Sequence, residues 1–136
     1  MKTFTVEDAN RTLPLVSRIV EDIVRKFVPW RDLLQEYELL KAGENLTDPD
    51  PRATVLEHEV QALAREIDGY LGELTELGVQ CKDPGLGLVD FPGEVDGRRV
   101  YLCWRLGEPA VEYWHDLNAG YAGRQRVGTT AVSRES

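Results

Sequence analysis

Apolar residues recur along the first third of the chain at alternating steps of three and four, which is the spacing of a helical seam. Thr5 and Asp8 form a capping-box-like pair, which predicts that the helix begins directly after Thr5. Thr12 and Pro14 indicate a second start, because proline is comfortable only in the first turn of a helix. The pattern therefore predicts a long helix over residues 6–42 with coiled-coil spacing. The seam consists of Leu13, Val16, Val20, Ile23, Phe27, Trp30, Leu34 and Tyr37.

A second seam of the same kind follows a loop rich in helix-breaking residues. Asp50 is a good N-cap, Pro51 a good first helical residue, and Gly78 fits the position just after a helix end. We therefore predict a helix over residues 51–77. Because the loop is short, the two helices should form an antiparallel hairpin. The second seam consists of Leu56, Val60, Leu63, Ile67, Tyr70, Leu74 and Leu77.

The periodicity changes to that of strands after Gly78. Residues 86–91, 98–106 and 111–117 are rich in β-branched and aromatic side chains, and the turn-prone sequences PGEVDG and GEP separate them. They predict a three-stranded antiparallel meander over residues 86–117.

Together these elements predict an α+β fold, in which a long antiparallel two-helix, coiled-coil-like hairpin packs on a small three-stranded antiparallel sheet. We expect a single domain over residues 1–126. The polar, aperiodic residues 127–136 should form a flexible tail.

Charge narrows the classes of partner. The chain has a formal net charge of −8, and its first 80 residues hold 16 acidic and 9 basic side chains. Such a surface disfavours binding to nucleic acid or to an anionic membrane.

Cys81 and Cys103 lack the CxxC spacing, the first residues lack the apolar core of a signal peptide, and the apolar runs are too short to span a bilayer. We therefore expect a cytoplasmic protein with two free thiols.

Ionisable and aromatic residues gather in the C-terminal half, where we expect any ligand site. Either Asp90 or Glu112 would orient His115 as a general base or a metal ligand. Arg105 and Arg124 would bind an anion. In the alternative interpretation they form structural ion pairs with Asp90, Glu108 or Asp116. The candidate ligand-binding residues are Asp90, Trp104, Arg105, His115, Asp116 and Arg124.

A divalent metal ion is the candidate cofactor, with His115 and Asp116 as candidate ligands. The strand register across the GEP turn can slip by one residue, so the pattern leaves open whether His115 or Asp116 lies beside Arg105. Cys103 could form a nucleophile–base dyad with His115, although its position in mid-strand favours an inert, packed thiol. His58, between two glutamates on the second helix, is interpreted as a solvated side chain.

Four sequence motifs carry a resemblance to a known family. They are FTVEDANRTLP at residues 4–14, LGVQCKDPGLGLVDFP at 77–92, VYLCWRLGEP at 100–109 and WHDLNAGYAGRQ at 114–125. Over residues 4–125 the chain resembles the bacterial DUF2203 family, which supplies no established activity or cofactor. An aliphatic residue is expected where Cys81 stands. The resemblance implies one shared site that contains Asp90, Trp104, Arg105, His115, Gly123 and Arg124.

Two functions are compatible with these patterns. The first is an interaction or assembly module that forms homo-oligomers through the helices, because apolar residues such as Val24, Leu39 and Leu71 lie outside the seams. The alternative is a small-molecule or metal-ion binding protein, or an enzyme, with its site on the sheet around Asp90, Arg105, His115 and Arg124. The patterns leave open whether the protein is an enzyme.

Overall fold

The first helix, α1, follows the predicted bounds and spans Val6–Ala42. We describe it from a computed structural model, which places residues 3–44 and 49–127. The Thr5 hydroxyl accepts a hydrogen bond from the Asp8 N–H at 3.0 Å, and the reciprocal contact completes the predicted capping box. The predicted second start at Pro14 is wrong, because α1 continues through both Pro14 and Pro29. Each proline removes one backbone hydrogen bond, which the rest of this 37-residue helix tolerates.

The second helix, α2, spans Pro51–Glu76 and begins and ends on the predicted signals. The Asp50 carboxylate accepts a hydrogen bond from the Arg52 N–H at 2.9 Å. Gly78 follows the helix with a φ of 85°, a conformation that glycine adopts without strain.

The two helices pack against each other in antiparallel directions. Near the loop, Arg52 contacts Glu36, and farther from it Lys26 Nζ lies 3.1 Å from a Glu66 carboxylate oxygen. Residue numbers thus rise on one helix as they fall on the other, as the hairpin prediction requires.

The sheet has five strands rather than the predicted three, joined in sequence order and paired antiparallel throughout. The extra strands, β1 and β5, are short and lie at the two edges. The five strands are β1 Gln80–Asp83, β2 Leu88–Val95, β3 Arg98–Arg105, β4 Tyr113–His115 and β5 Gln125–Arg126.

Strand β4 begins later than predicted because Val111 bonds to helix α1 instead of to β3. The Val111 N–H donates to the Asn10 side-chain oxygen at 2.7 Å, and the Asn10 amide donates to the Val111 carbonyl at 3.2 Å. A polar side chain of α1 therefore replaces the strand partner at this point.

The helices cover one face of the sheet and form the core with it. Val100, Leu102 and Trp104 of β3 are buried there. Trp114 lies directly opposite Leu102 and joins the same core, so its neighbour in β4 faces the other way. This register places His115 on the face that points away from the helices, opposite Tyr101 and four residues from Arg105 along β3. Asp116 forms its ion pair with Arg98, so neither of the two residues left open at the GEP turn lies beside Arg105.

Val127 lies in the segment that the sequence analysis assigns to the tail. Its side chain is buried in the core, and its N–H donates to the Glu112 carbonyl at 2.8 Å. The rest of the predicted tail, residues 128–136, lies outside the described residues, as do residues 45–48 of the loop between the helices.

Neither helix of the described chain combines the length and the apolar character needed to cross a bilayer.

Candidate functional site

Three neighbouring strands bring Asp90, Cys103 and His115 together on the outer face of the sheet. Asp90 lies directly opposite Cys103, and His115 lies opposite Tyr101, two residues from Cys103 along β3. Side chains two residues apart on a strand share a face, so the strand register alone places these three side chains close together. One ligand atom from each of the three lies within 4.8 Å of the others.

The cluster is buried although it lies on the face opposite the helices. Asp90 is 1% exposed and His115 is 3% exposed. The segment 117–121, which follows β4, lines a cavity beside Asp90 and His115 together with Tyr101. The polar groups of the cluster must therefore satisfy one another, since water reaches them poorly.

His115 contacts an oxygen atom with each of its ring nitrogens. Nδ1 lies 2.8 Å from the backbone carbonyl oxygen of Asp116, and Nε2 lies 3.1 Å from Oδ1 of Asp90. A carbonyl oxygen only accepts hydrogen bonds, so Nδ1 must carry a proton. The second contact is then a hydrogen bond only when one further proton lies between Nε2 and Oδ1. Asp90, and not Glu112, is the carboxylate that orients His115.

Cys103 completes the cluster as a protonated thiol. Its burial, followed by the charge of Asp90, raises the pKa of the thiol from 9.0 to about 12. A thiol of this kind is a poor nucleophile at neutral pH, which favours the packed-thiol interpretation over a nucleophile–base dyad. Cys103 was not among the predicted metal ligands, although its place opposite Asp90 in the meander was a usable signal.

A cavity of about 280 Å³ opens above the Asp90–His115 pair. Lys82 of β1 and Tyr101 of β3 line one side, with the lysine Nζ 5.6 Å from the centre of the tyrosine ring. The other side is formed by the segment 117–121. Lys82 and Tyr101 were not among the predicted site residues, because only the register places them beside the histidine.

Arg124 lies on the same face of the sheet but is committed to a structural ion pair. Its Nη2 lies 2.7 Å from each carboxylate oxygen of Glu108, and its guanidinium stacks 3.9 Å from the centre of the Tyr113 ring. The ion-pair interpretation therefore describes Arg124 better than an anion grip does.

Arg105 contacts the edge of the cavity through Tyr121. Its Nη1 donates to the Tyr121 hydroxyl at 3.3 Å, and this hydrogen bond lowers the pKa of the phenol. Arg105 thus lies beside the cavity wall, while its own backbone N–H donates to Glu108 at 2.9 Å.

The remaining predicted site residues lie elsewhere. Trp104 belongs to the core face, where its Nε1 donates to the Glu108 carbonyl at 3.0 Å. The Asp116 carboxylate lies 3.2 Å from Nη2 of Arg98, so only the Asp116 backbone contacts His115. His58 is exposed on α2, as predicted.

Comparison with known proteins agrees with the four sequence motifs. A family model described as an uncharacterized conserved protein, DUF2203, matches residues 2–127. The chain belongs to this family. The match includes the whole Asp90–Cys103–His115 cluster and the cavity-lining segment 117–121, so the site lies within the residues that the family model matches. No curated protein and no solved structure matches the chain.

Proposed function

We propose that the protein binds a divalent transition-metal ion of the zinc class through Asp90, Cys103 and His115. The observation that carries the proposal is the convergence of a carboxylate oxygen, a thiol sulfur and an imidazole nitrogen within 4.8 Å. Metal–ligand bonds of about 2.0–2.3 Å put tetrahedral ligand atoms roughly 3.3–3.8 Å apart. Small side-chain movements would therefore bring all three atoms to one ion.

The surroundings of His115 support this proposal. A histidine that binds a metal through one nitrogen commonly donates the other N–H to a carbonyl or carboxylate, which fixes the ring orientation. Nδ1 of His115 already lies 2.8 Å from the Asp116 carbonyl oxygen, leaving Nε2 to face Asp90. With three protein ligands, a zinc-class ion keeps one coordination position open.

Metal binding would displace the protons that hold the cluster together without metal. One is the proton between His115 and Asp90, and the other is the Cys103 thiol proton; both would pass to solvent. The ion would thus release about two protons. Cys103 must also stay reduced to act as a ligand, and for this reason we place the protein in the cytoplasm.

The test is metal analysis of protein purified without an affinity tag, followed by titration with Co²⁺. We expect about one ion per chain and a thiolate-to-cobalt charge-transfer band. Cys103→Ala should abolish the band, and Asp90→Ala and His115→Ala should abolish tight binding. Calorimetry in buffers of different ionisation enthalpy would measure the released protons.

The chain supplies its own matched controls. Cys81→Ala and His58→Ala remove the other cysteine and the other histidine, and both variants should bind Co²⁺ as the wild type does. Circular dichroism of each variant establishes that it is folded. Wild-type protein that binds no metal, or a Cys103→Ala variant that binds normally, would disprove the proposal.

A second candidate function is assembly into a homodimer through the coiled-coil-like hairpin. The observation that favours it is the exposure of apolar side chains on the outer half of the hairpin, where Leu39 is 70% exposed and Val55 is 57% exposed. After Ile23, α1 contains no buried residue. A second copy with twofold symmetry would cover these side chains.

Analytical ultracentrifugation tests this candidate directly. We expect a dimer that Leu39→Glu combined with Val55→Glu converts to a monomer. A wild-type protein that sediments as a monomer at high concentration would exclude assembly through this surface.

A further inference from the structure

The cavity above the cluster has the size of a small-ligand pocket. Its volume of about 280 Å³ is near the lower end of the roughly 300–1,000 Å³ found for such pockets. Asp90 and His115 are among its lining residues, so an ion that they bind would lie at the cavity wall. A ligand that enters it would thus meet the ion directly.

The charge of the pocket selects the charge of the ligand. With an ion bound, the Asp90 carboxylate and the Cys103 thiolate would balance its two positive charges. Lys82 would then leave one positive charge at the mouth of the cavity. Within the described ranges, 3–44 and 49–127, no carboxylate lies within ion-pair distance of its ammonium group. A single negative charge on the ligand would complete the balance.

The walls of the pocket select the body of the ligand. Leu88 and Leu117 line it with aliphatic carbon, and Tyr101 and Tyr121 line it with aromatic rings. Such walls favour a compact apolar or aromatic group over a sugar or a nucleotide, which would need several polar partners.

We infer that this pocket binds a small monocarboxylate with an apolar body, whose carboxylate takes the ion's open coordination position beside Lys82. The inference rests on the proposed metal site. It assigns recognition of the ligand's negative charge to Lys82 and contact with the ligand's apolar body to Tyr101.

The experiment uses full-length protein loaded with Zn²⁺ and three monocarboxylate probes: acetate, isovalerate and benzoate. Benzamide serves as the neutral counterpart of benzoate. Calorimetric titration should show that benzoate binds at least about tenfold more tightly than benzamide. Lys82→Met should weaken benzoate binding by about tenfold and leave Zn²⁺ binding unchanged. Lys41→Met, at the far end of the hairpin, should change neither.

Each outcome separates this inference from the proposed function. Zn²⁺ binding without binding of any carboxylate probe overturns the inference and leaves the metal site standing. The same holds if benzoate and benzamide bind equally, or if Lys82→Met binds benzoate like the wild type. Failure of the wild type to bind Zn²⁺ overturns both.

Discussion

Nε2 of His115 lies 3.1 Å from Oδ1 of Asp90, and both side chains are almost completely buried. Each side chain therefore supplies the hydrogen-bond partner that water would otherwise provide to the other. Replacing either one by alanine leaves its partner buried with an unsatisfied polar atom, which we expect to lower the free energy of unfolding by about 2–5 kcal/mol. The double variant should cost about 1–3 kcal/mol less than the sum of the single variants. Urea denaturation of metal-free protein measures all three.

The control for this cycle is Asp116, the next residue after His115. Its carboxylate forms an exposed ion pair with Arg98, so Asp116→Ala should change stability by less than about 0.5 kcal/mol. The stability changes of Asp116→Ala and His115→Ala should add, because Asp116→Ala keeps the backbone carbonyl that contacts His115. Additivity between Asp90→Ala and His115→Ala would instead show that the buried pair is not coupled.

Cys103 makes stability depend on pH in the alkaline range. The folded protein holds the thiol proton up to about pH 12, whereas an unperturbed thiol loses it near pH 9.0. This stabilisation is fully present below pH 9 and is lost as the pH rises toward 12. Between pH 8 and pH 10, wild-type protein should therefore lose about 1 kcal/mol more than Cys103→Ala does. Urea denaturation at the two pH values checks this, and equal losses would contradict it.

Arg124 should tolerate lysine poorly. Its planar guanidinium stacks on Tyr113 while Nη2 reaches both oxygens of Glu108, and a lysine ammonium cannot do both. We expect Arg124→Lys to lower the free energy of unfolding by about 1–2 kcal/mol. Arg126→Lys is the matched control, because Arg126 contacts the same tyrosine from an exposed position and should lose less than about 0.5 kcal/mol. Equal losses would show that stacking contributes little.

The helices could be predicted closely because their signals are local. Thr5, Asp50 and Gly78 mark three of the helix ends, and each acts through backbone groups within a few residues. The strand count could not be predicted in the same way. β5 has only two residues and β1 only four, so neither is long enough to show a period of two. The late start of β4 depends on Asn10, which is about a hundred residues away in sequence.

The candidate site shows the same division between local and long-range information. Asp90 and His115 stood out in the sequence because ionisable and aromatic residues gather in the strand segments of the C-terminal half. Their partnership depended on a register that the GEP turn leaves open, and a slip of one residue would have brought Asp116 to the cluster instead. Trp104 was wrong as a site residue because alternate residues of a strand face opposite sides of the sheet, and Trp104 shares the core face with Val100 and Leu102.

Gly87 is a position where only glycine fits, and it tests how the sheet joins the helices. Its φ of 71° strains any other residue, and an added Cβ would lie 2.7 Å from Cβ of Leu106 and 3.1 Å from Cγ1 of Val20. Gly87→Ala should therefore lower the free energy of unfolding by about 2–4 kcal/mol, through backbone strain and overpacking together. Urea denaturation measures the loss.

The matched control is Gly69, which lies within α2. An added Cβ there meets nothing within 4 Å, and alanine favours the helix, so Gly69→Ala should raise stability by about 0.5–1 kcal/mol. The two substitutions add the same methyl group to the same type of residue. If they change the free energy of unfolding in opposite directions, the local conformation is the cause. If Gly87→Ala proved as stable as the wild type, the close contact of this turn with Val20 and Leu106 would be refuted.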